Sequence, residues 1–457
     1  FMSEPLASPQ DSPKPPPEGA PAGAAPPPEP APLPPQPPQD LFLHKIQAYR
    51  QADLVKLART LGAADALGAT RQDIIYRIVK EHTRLNGLTI CQGVLDAMPD
   101  GYGFVRSAAY SYTPSPDDVY IPPGILRRMG VKPGDTIVGQ IRPPREGEKY
   151  FALLKIDSIN FEMPEKALKR KAFEDLTPLH PHKRLFLEHD PDEFSSRIVN
   201  LFCPIGKGQR GLIVAPPRVG KTILLANIAH AIEVNHPEVM VIVLLIDERP
   251  EEVTNMKRFI RGEVVASTFD EPPQRHAQVT EMVLEKAKRL VEYGKDVVLL
   301  VDSITRMGRA FNNLAGLSGK IMSGGMDVDA LQRPKVFFGS ARQIENGGSL
   351  TVLATCLIDT GSKMDEVIFE EFKGTGNMEL ILDRGAGNRR IFPSLDLNKS
   401  GTRKDELIMD PDEFKRVLWL RKFVADIRDP GDVIELLQTK LKKFRTNAEL
   451  LMNLRGD

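Results

Sequence analysis

From residue 201 onward, short apolar runs of three to eight residues alternate with stretches of helical periodicity, the pattern a parallel α/β sheet requires. The runs Leu212–Val214, Val239–Ile246, Val297–Val301, Leu350–Leu357 and Met378–Leu382 are its predicted strands. Residues 88–160 have a different rhythm. Short alternating runs at Leu88–Leu95, Gly103–Arg106, Asp118–Ile121, Thr136–Ile141 and Phe151–Ile156 are separated by turns such as Pro99-Asp-Gly101, Lys132-Pro-Gly-Asp135 and Arg145-Glu-Gly147. Five such strands predict an OB-type β-barrel. Between residues 41 and 84 the apolar positions return to helical spacing, first Leu54, Leu57, Ala58 and Leu61, then Ile74, Ile75, Ile78 and Val79, with Asp53 and Thr70 as candidate caps. A module this small cannot carry its own core and should pack on the strands C-terminal to it.

Two stretches lack such a pattern. Residues 1–40 hold 16 of the chain's 39 prolines, too many for a hydrogen-bonded backbone, which predicts a disordered Pro/Ala-rich tail of polyproline II character. Residues 163–200 are charged and read as a connector; His180, His182 and His189 within it have no metal-ligand spacing. The predicted order is therefore tail (1–40), helical module (41–86), barrel (87–162), connector (163–200) and α/β domain (201–457).

Charge narrows the choice of partners. With 61 basic and 61 acidic residues, a nucleic acid would need a local basic surface rather than a global field. Cys91, Cys203 and Cys356 lie far apart in apolar segments, which suits a reducing cytoplasm. No run is long and apolar enough to span a membrane, and no signal peptide is visible.

The chemistry centres on Ile213-Val-Ala-Pro-Pro-Arg-Val-Gly-Lys-Thr222. Strand, tight loop, Gly-Lys-Thr and helix make a phosphate cradle for ATP, built from Pro217, Arg218, Val219, Gly220, Lys221, Thr222 and Ile223. Lys221 reaches the β/γ-phosphates and Thr222 holds Mg²⁺. Ala215 stands where the motif has its first glycine. The strand ending Asp247-Glu248-Arg249 puts Glu248 where it can orient a water, with Arg249 close by. Asp296-Val-Val-Leu-Leu-Val-Asp302 is the second nucleotide signature, with Asp302 as the Mg²⁺ carboxylate.

In the barrel, Asp100-Gly-Tyr-Gly-Phe-Val-Arg106 places Tyr102 and Phe104 on one face beside Arg106: two stacking rings and a phosphate contact. The same spacing also fits two inward core rings. Tyr120, Glu148 and Tyr150 can join that face. Two further loops, Leu314–Gly325 with Lys320 and Asp359–Asp365 with Gly361, Ser362 and Lys363, offer glycine-rich backbone and a lysine each, the makings of a pore lining on the sheet edge away from the nucleotide. Arg384, Arg389, Arg390 and Arg403 fall too far along the sheet to serve their own subunit's nucleotide, but could serve a neighbour's.

These stretches, together with Ile141-Arg-Pro-Pro-Arg-Glu-Gly-Glu-Lys-Tyr150, Val301-Asp-Ser-Ile-Thr-Arg306, Gly361-Ser-Lys-Met-Asp-Glu366 and Ser400-Gly-Thr-Arg403, resemble the Rho family of bacterial transcription termination factors. The resemblance implies a multi-domain chain: a helical module, an OB-type barrel and a RecA-like P-loop ATPase. It implies a homo-hexameric ring that hydrolyses ATP, moves 5′ to 3′ on RNA, unwinds RNA–DNA hybrids and releases transcripts from the RNA polymerase elongation complex, in contact with elongation factors. It implies a pyrimidine-preferring primary RNA site at Tyr102, Phe104, Arg106, Tyr120, Glu148 and Tyr150, and a central-pore site at the Lys320 and Lys363 loops. Arg403 corresponds to an arginine finger, Arg390 to a second trans-acting arginine, and Phe392 to the residue packed on adenine. Two rivals share parts of the pattern: a rotary ATP synthase-type subunit, which the barrel aromatics disfavour, and an RNA-binding scaffold whose ATPase is only a switch.

Overall fold

The computed structural model describes residues 40–63, 68–315 and 323–454. The predicted tail lies outside them apart from Asp40, and so does Lys320.

Helices Gln51–Thr60 and Arg71–Arg84 form the N-terminal module. The Thr70 hydroxyl accepts from the Asp73 amide and caps the second helix, whereas Asp53 sits inside the first turn of the first, behind Arg50 at the N-cap. Leu54, Ala58, Ile74 and Ile78 are fully buried and belong to one core with Cys91, Leu95, Ile137 and Phe151 of the barrel. The two elements thus share their apolar interior.

The barrel consists of strands Thr89–Ala97, Gly103–Arg106, Val119–Ile121, Thr136–Arg142 and Phe151–Ile159. Pairing of the first with the fourth, from Thr89↔Ile141 to Val94↔Thr136, closes it. The alternating pattern did not show the short helix Pro123–Met129 between the third and fourth strands, which ends at Gly130 in the left-handed region.

In the C-terminal domain the sheet runs Glu263–Thr268, Met240–Glu248, Asp296–Asp302, Ser349–Leu357, Arg210–Ala215 and Met378–Ile381, all parallel. Helices bury both faces, which is why the central strands read as nearly continuous apolar runs. The edge strand Glu263–Thr268 escaped the sequence reading because its apolar run is only Val264-Val265-Ala266, with Glu263 before it and Ser267 and Thr268 after. Parallel strands send all their carboxyl ends to one edge of the sheet. The phosphate loop, Asp247-Glu248, Asp302 and the loop to Lys363 all leave there, with Ala215 in register with Leu357. This corrects the expectation that the Lys363 loop emerges away from the nucleotide.

The stretch read as a connector is not a solvated link. Helix Phe194–Phe202 crosses residue 200 and buries Ile198, Val199, Leu201 and Phe202 in the core of the C-terminal domain. Arg197 within it is fully buried, its guanidinium donating to Asn447 Oδ1 (3.1 Å) and the Pro191 carbonyl (2.8 Å). The Arg170 side chain and Phe173 are likewise buried. Burial pushes the thiols of Cys91, Cys203 and Cys356 up to about 12, so all three are inert apolar filler. Among the described residues no helix is long and apolar enough to cross a membrane.

Candidate functional site

The strand Arg210–Ala215 ends at Ala215, and the loop turns into helix Lys221–Asn235 through Arg218 (φ 67°) and Gly220 (φ 83°). A Cβ on Gly220 would lie 3.0 Å from the Phe392 ring, so glycine serves both the left-handed turn and the approach of that ring. The positive end of the helix dipole faces the loop. The cleft beside it, about 540 Å³, is lined by Arg218, Gly220, Lys221, Thr222, Asn227 and Glu252 among others.

Lys221 Nζ lies 2.6 Å from both Asp302 oxygens and 3.2 Å from Glu248. Burial opposes its charge, but these two carboxylates outweigh the burial and raise its pKa. Burial and the neighbouring Asp302 raise the Glu248 pKa, partly offset by Lys221 and Arg306. The Thr222 hydroxyl is 3.3 Å from Asp302 Oδ2. Hydroxyl and carboxylate are hard oxygen donors and suit Mg²⁺. No group of three or more His, Cys, Asp or Glu side chains among the described residues could hold a metal alone, so phosphate oxygens and water would complete its shell.

Two residues of this site had no role assigned from the sequence. Thr355, on the strand between that of Asp302 and the one leading to the phosphate loop, donates to Asp302 Oδ1 at 2.7 Å and is fully buried. Arg306 holds Asp247 at 2.6 Å and approaches Glu248 at 3.5 Å. Arg249, expected close to Glu248, is exposed at the N-cap of helix Pro250–Phe259. A polar residue inside an apolar strand was the one available signal for Thr355, and it does not say which neighbour it faces.

Phe392 is 44% exposed. Arg390 (φ 59°) and Arg403 are exposed and make no ion pair or side-chain hydrogen bond among the described residues. Arg389, by contrast, is committed to Asp429 (2.9 Å) and Asp432 (2.8 Å) of its own chain.

On the barrel, Phe104 pairs with Tyr120 across adjacent strands. Its ring lies 5.8 Å from Tyr102, 6.0 Å from Tyr120 and 4.9 Å from Tyr150. The tyrosines are half-buried and Phe104 is only 9% exposed, so three rings form the surface over a phenylalanine floor. Arg106 corrects the sequence reading. Its guanidinium is buried against the Phe104 ring, 4.7 Å from the centroid, paired with Asp96 (2.9 Å) and Asp118. At 6% exposure and with two carboxylates, it supports the platform and is not offered to a phosphate. Glu148 accepts from Arg142 at 2.6 and 2.8 Å and from the Arg145 amide at 2.9 Å. Arg142 and that amide lower its pKa to about 2, keeping it an ionised acceptor at the rim. A cleft of about 350 Å³ opens between Tyr120, Arg142, Glu148 and Tyr150.

The two glycine-rich loops meet. A Cβ on Gly324 would stand 2.8 Å from the Lys363 carbonyl carbon, a backbone contact only glycine permits. Lys363 is exposed at the start of helix Lys363–Lys373, after Gly361 (φ 77°) and Ser362 at the N-cap. Asp365, buried behind it, accepts from Nε and Nη2 of Arg309 at 2.8 and 2.7 Å, on the helix that begins just past Asp302.

Comparison with known proteins agrees with this division of labour. The family described as Rho termination factor, RNA-binding domain, matches residues 91–165; the ATP synthase alpha/beta family, nucleotide-binding domain, matches residues 195–402. A transcription termination factor Rho of Pseudomonas aeruginosa is 54% identical over 407 residues, 88% of this chain and 97% of that protein. Those of Escherichia coli K12 and Rhodopirellula baltica are 53% identical over 401 residues (87% and 96%) and 50% identical over 422 residues (92% and 82%). Among solved structures, the assembled type III secretion ATPase EscN of enteropathogenic E. coli aligns with a TM-score of 0.52 at 18% identity, over 68% of this chain and 78% of that one, a likeness of fold alone.

Proposed function

The chain belongs to the transcription termination factor Rho family, and from that membership we propose that it acts as a homo-hexameric ring that pulls single-stranded RNA 5′ to 3′ and strips the transcript from RNA polymerase. It is an RNA-binding, ATP-hydrolysing termination factor, with an OB-type barrel and an ATP synthase-like nucleotide domain.

The observation that carries the ring is the pair Arg390 and Arg403, exposed and unengaged among the described residues, on a chain whose own phosphate loop already holds its lysine and carboxylates. A neighbour's γ-phosphate is the anion they suit, with Arg403 as finger. Lys221 binds the β/γ-phosphates. Glu248, its pKa raised, orients the attacking water and accepts a hydrogen from it. Thr222 and Asp302 hold Mg²⁺, which when bound supplies positive charge against the phosphate oxygens. Pro217, Arg218, Val219, Gly220 and Ile223 shape the cradle, Arg249 borders it, and the exposed Phe392 ring packs on adenine.

Tyr102, Tyr120 and Tyr150 stack RNA bases over Phe104 and Arg106, and ionised Glu148 accepts from an exocyclic amine, which favours cytosine. Lys320, Gly361, Ser362 and Lys363 grip RNA in the pore. The work takes place in the cytoplasm, on elongation complexes and among elongation factors. ATP hydrolysis measured with and without poly(C), alongside particle images of protein with RNA and nucleotide, tests the reading. Stimulated turnover in six-subunit rings is expected; monomers with an RNA-indifferent ATPase would sink it. Unwinding of a tailed RNA–DNA duplex separates a motor from a switch.

A further inference from the structure

The loop 107–118 leaves the barrel platform at Arg106 and returns to it just ahead of Tyr120. Midway it plunges into the ATPase domain. Tyr112 is 1% exposed, its hydroxyl bonded to Glu263 and 3.0 Å from Lys286 Nζ, while Lys286 is also paired with Glu263. Next to it, the Ser111 hydroxyl accepts from the Ala266 amide at 3.1 Å, and the Ser111 carbonyl accepts from Arg275. The contacted strand is Glu263–Thr268, and two residues past Ala266, Thr268 pairs with Glu248. From the stacking rings to the water-orienting carboxylate, the route is one loop and one strand pairing.

We propose that Tyr112, with Glu263 and Lys286, is a positioning joint through which RNA on the barrel platform sets the placement of Glu248. A buried hydroxyl held by a carboxylate and an ammonium fixes distance and direction, where an apolar contact would let the barrel slide. The platform end of the loop is equally fixed: Tyr110 donates to Asp117 at 2.9 Å, and the Ser115 amide to Asp118, the partner of Arg106, at 2.6 Å. Base stacking that presses on Phe104 and Arg106 is therefore delivered to the edge strand rather than absorbed in a slack loop.

This rests on the RNA-stimulated ATPase proposed above, and the experiment separates the two. Tyr112→Phe removes only the hydroxyl. In the full-length protein we expect oligocytidine binding by fluorescence anisotropy and unstimulated ATPase both within twofold of wild type, poly(C) half-saturation unchanged, and poly(C)-stimulated kcat at least fivefold lower. Equal stimulated kcat with equal binding overturns the joint while leaving the motor intact. Absence of poly(C) stimulation in wild type would overturn both. Should the variant fold poorly, hydrogen exchange in wild type decides: bound oligocytidine should slow amides 263–268 at least threefold, and unchanged exchange there refutes the proposal.

Discussion

Thr355→Val tests whether the buried polar step between the two nucleotide strands serves the reaction or only the fold. Valine has nearly threonine's shape, so no cavity opens at this fully buried position. What disappears is the 2.7 Å hydrogen bond to Asp302 Oδ1. A hydrogen bond to a charged group is worth about 1.5–3 kcal/mol, roughly a ten- to hundredfold factor, the same range seen when an outer-sphere partner of a metal ligand is removed. Asp302 keeps Lys221 at 2.6 Å, so the carboxylate stays charge-balanced but loses the contact that sets its rotation. The assay is a Mg²⁺ titration of poly(C)-stimulated ATP hydrolysis at saturating ATP. Half-saturating Mg²⁺ should rise about tenfold or more for Thr355→Val. Thr355→Ser, which keeps the hydroxyl and loses one methyl (about 1 kcal/mol of packing), should stay near wild type. If valine leaves the Mg²⁺ midpoint within twofold of wild type while lowering the melting temperature, Thr355 is a core residue and the reasoning is wrong.

Glu248→Gln should bind a fluorescent ATP analogue normally yet turn over at least about a hundredfold more slowly, the usual weight of a positioned base; near-normal turnover would take the role from Glu248. Asp118 has its pKa raised to about 6 by burial, against the pull of the Ser115 amide and Arg106. The folded state therefore holds its proton more tightly than the unfolded chain, a contribution fully present below pH 3.8 and lost as pH rises through about 6. Melting curves should show wild type gaining stability on Asp118→Asn between pH 7 and pH 4; a pH-independent difference would contradict this. Gly134→Ala puts a Cβ 2.4 Å from the Glu285 carbonyl carbon at φ +87°, so it should destabilise the barrel–ATPase seam by about 2 kcal/mol or more, read as a fall in melting temperature.

The sequence is legible where the physics is local. The phosphate loop was readable because strand, turn and helix are contiguous, and the turn needs glycine at position 220 for reasons held within a few bonds. The aromatic face was readable because a strand's period of two puts Tyr102 and Phe104 on one side wherever the strand goes. Arg106 failed for the same reason inverted. Period two puts it on their side, but its charge is decided by Asp96 on the paired strand and Asp118 beyond a loop, partners no spacing rule reaches. Thr355 meets Asp302 only because their strands are neighbours, an order set by the whole sheet. The connector misread is the most instructive. Arg170 and Arg197 carry charge in a charged stretch, which reads as solvated; each side chain is buried because a partner far along the chain, Glu292 for one and Asn447 for the other, waits in the ATPase domain. A charged residue's address is therefore written at its partner's position, and in this chain Arg170, held between Asp135 of the barrel and Glu292, ties the RNA-binding barrel to the ATPase domain.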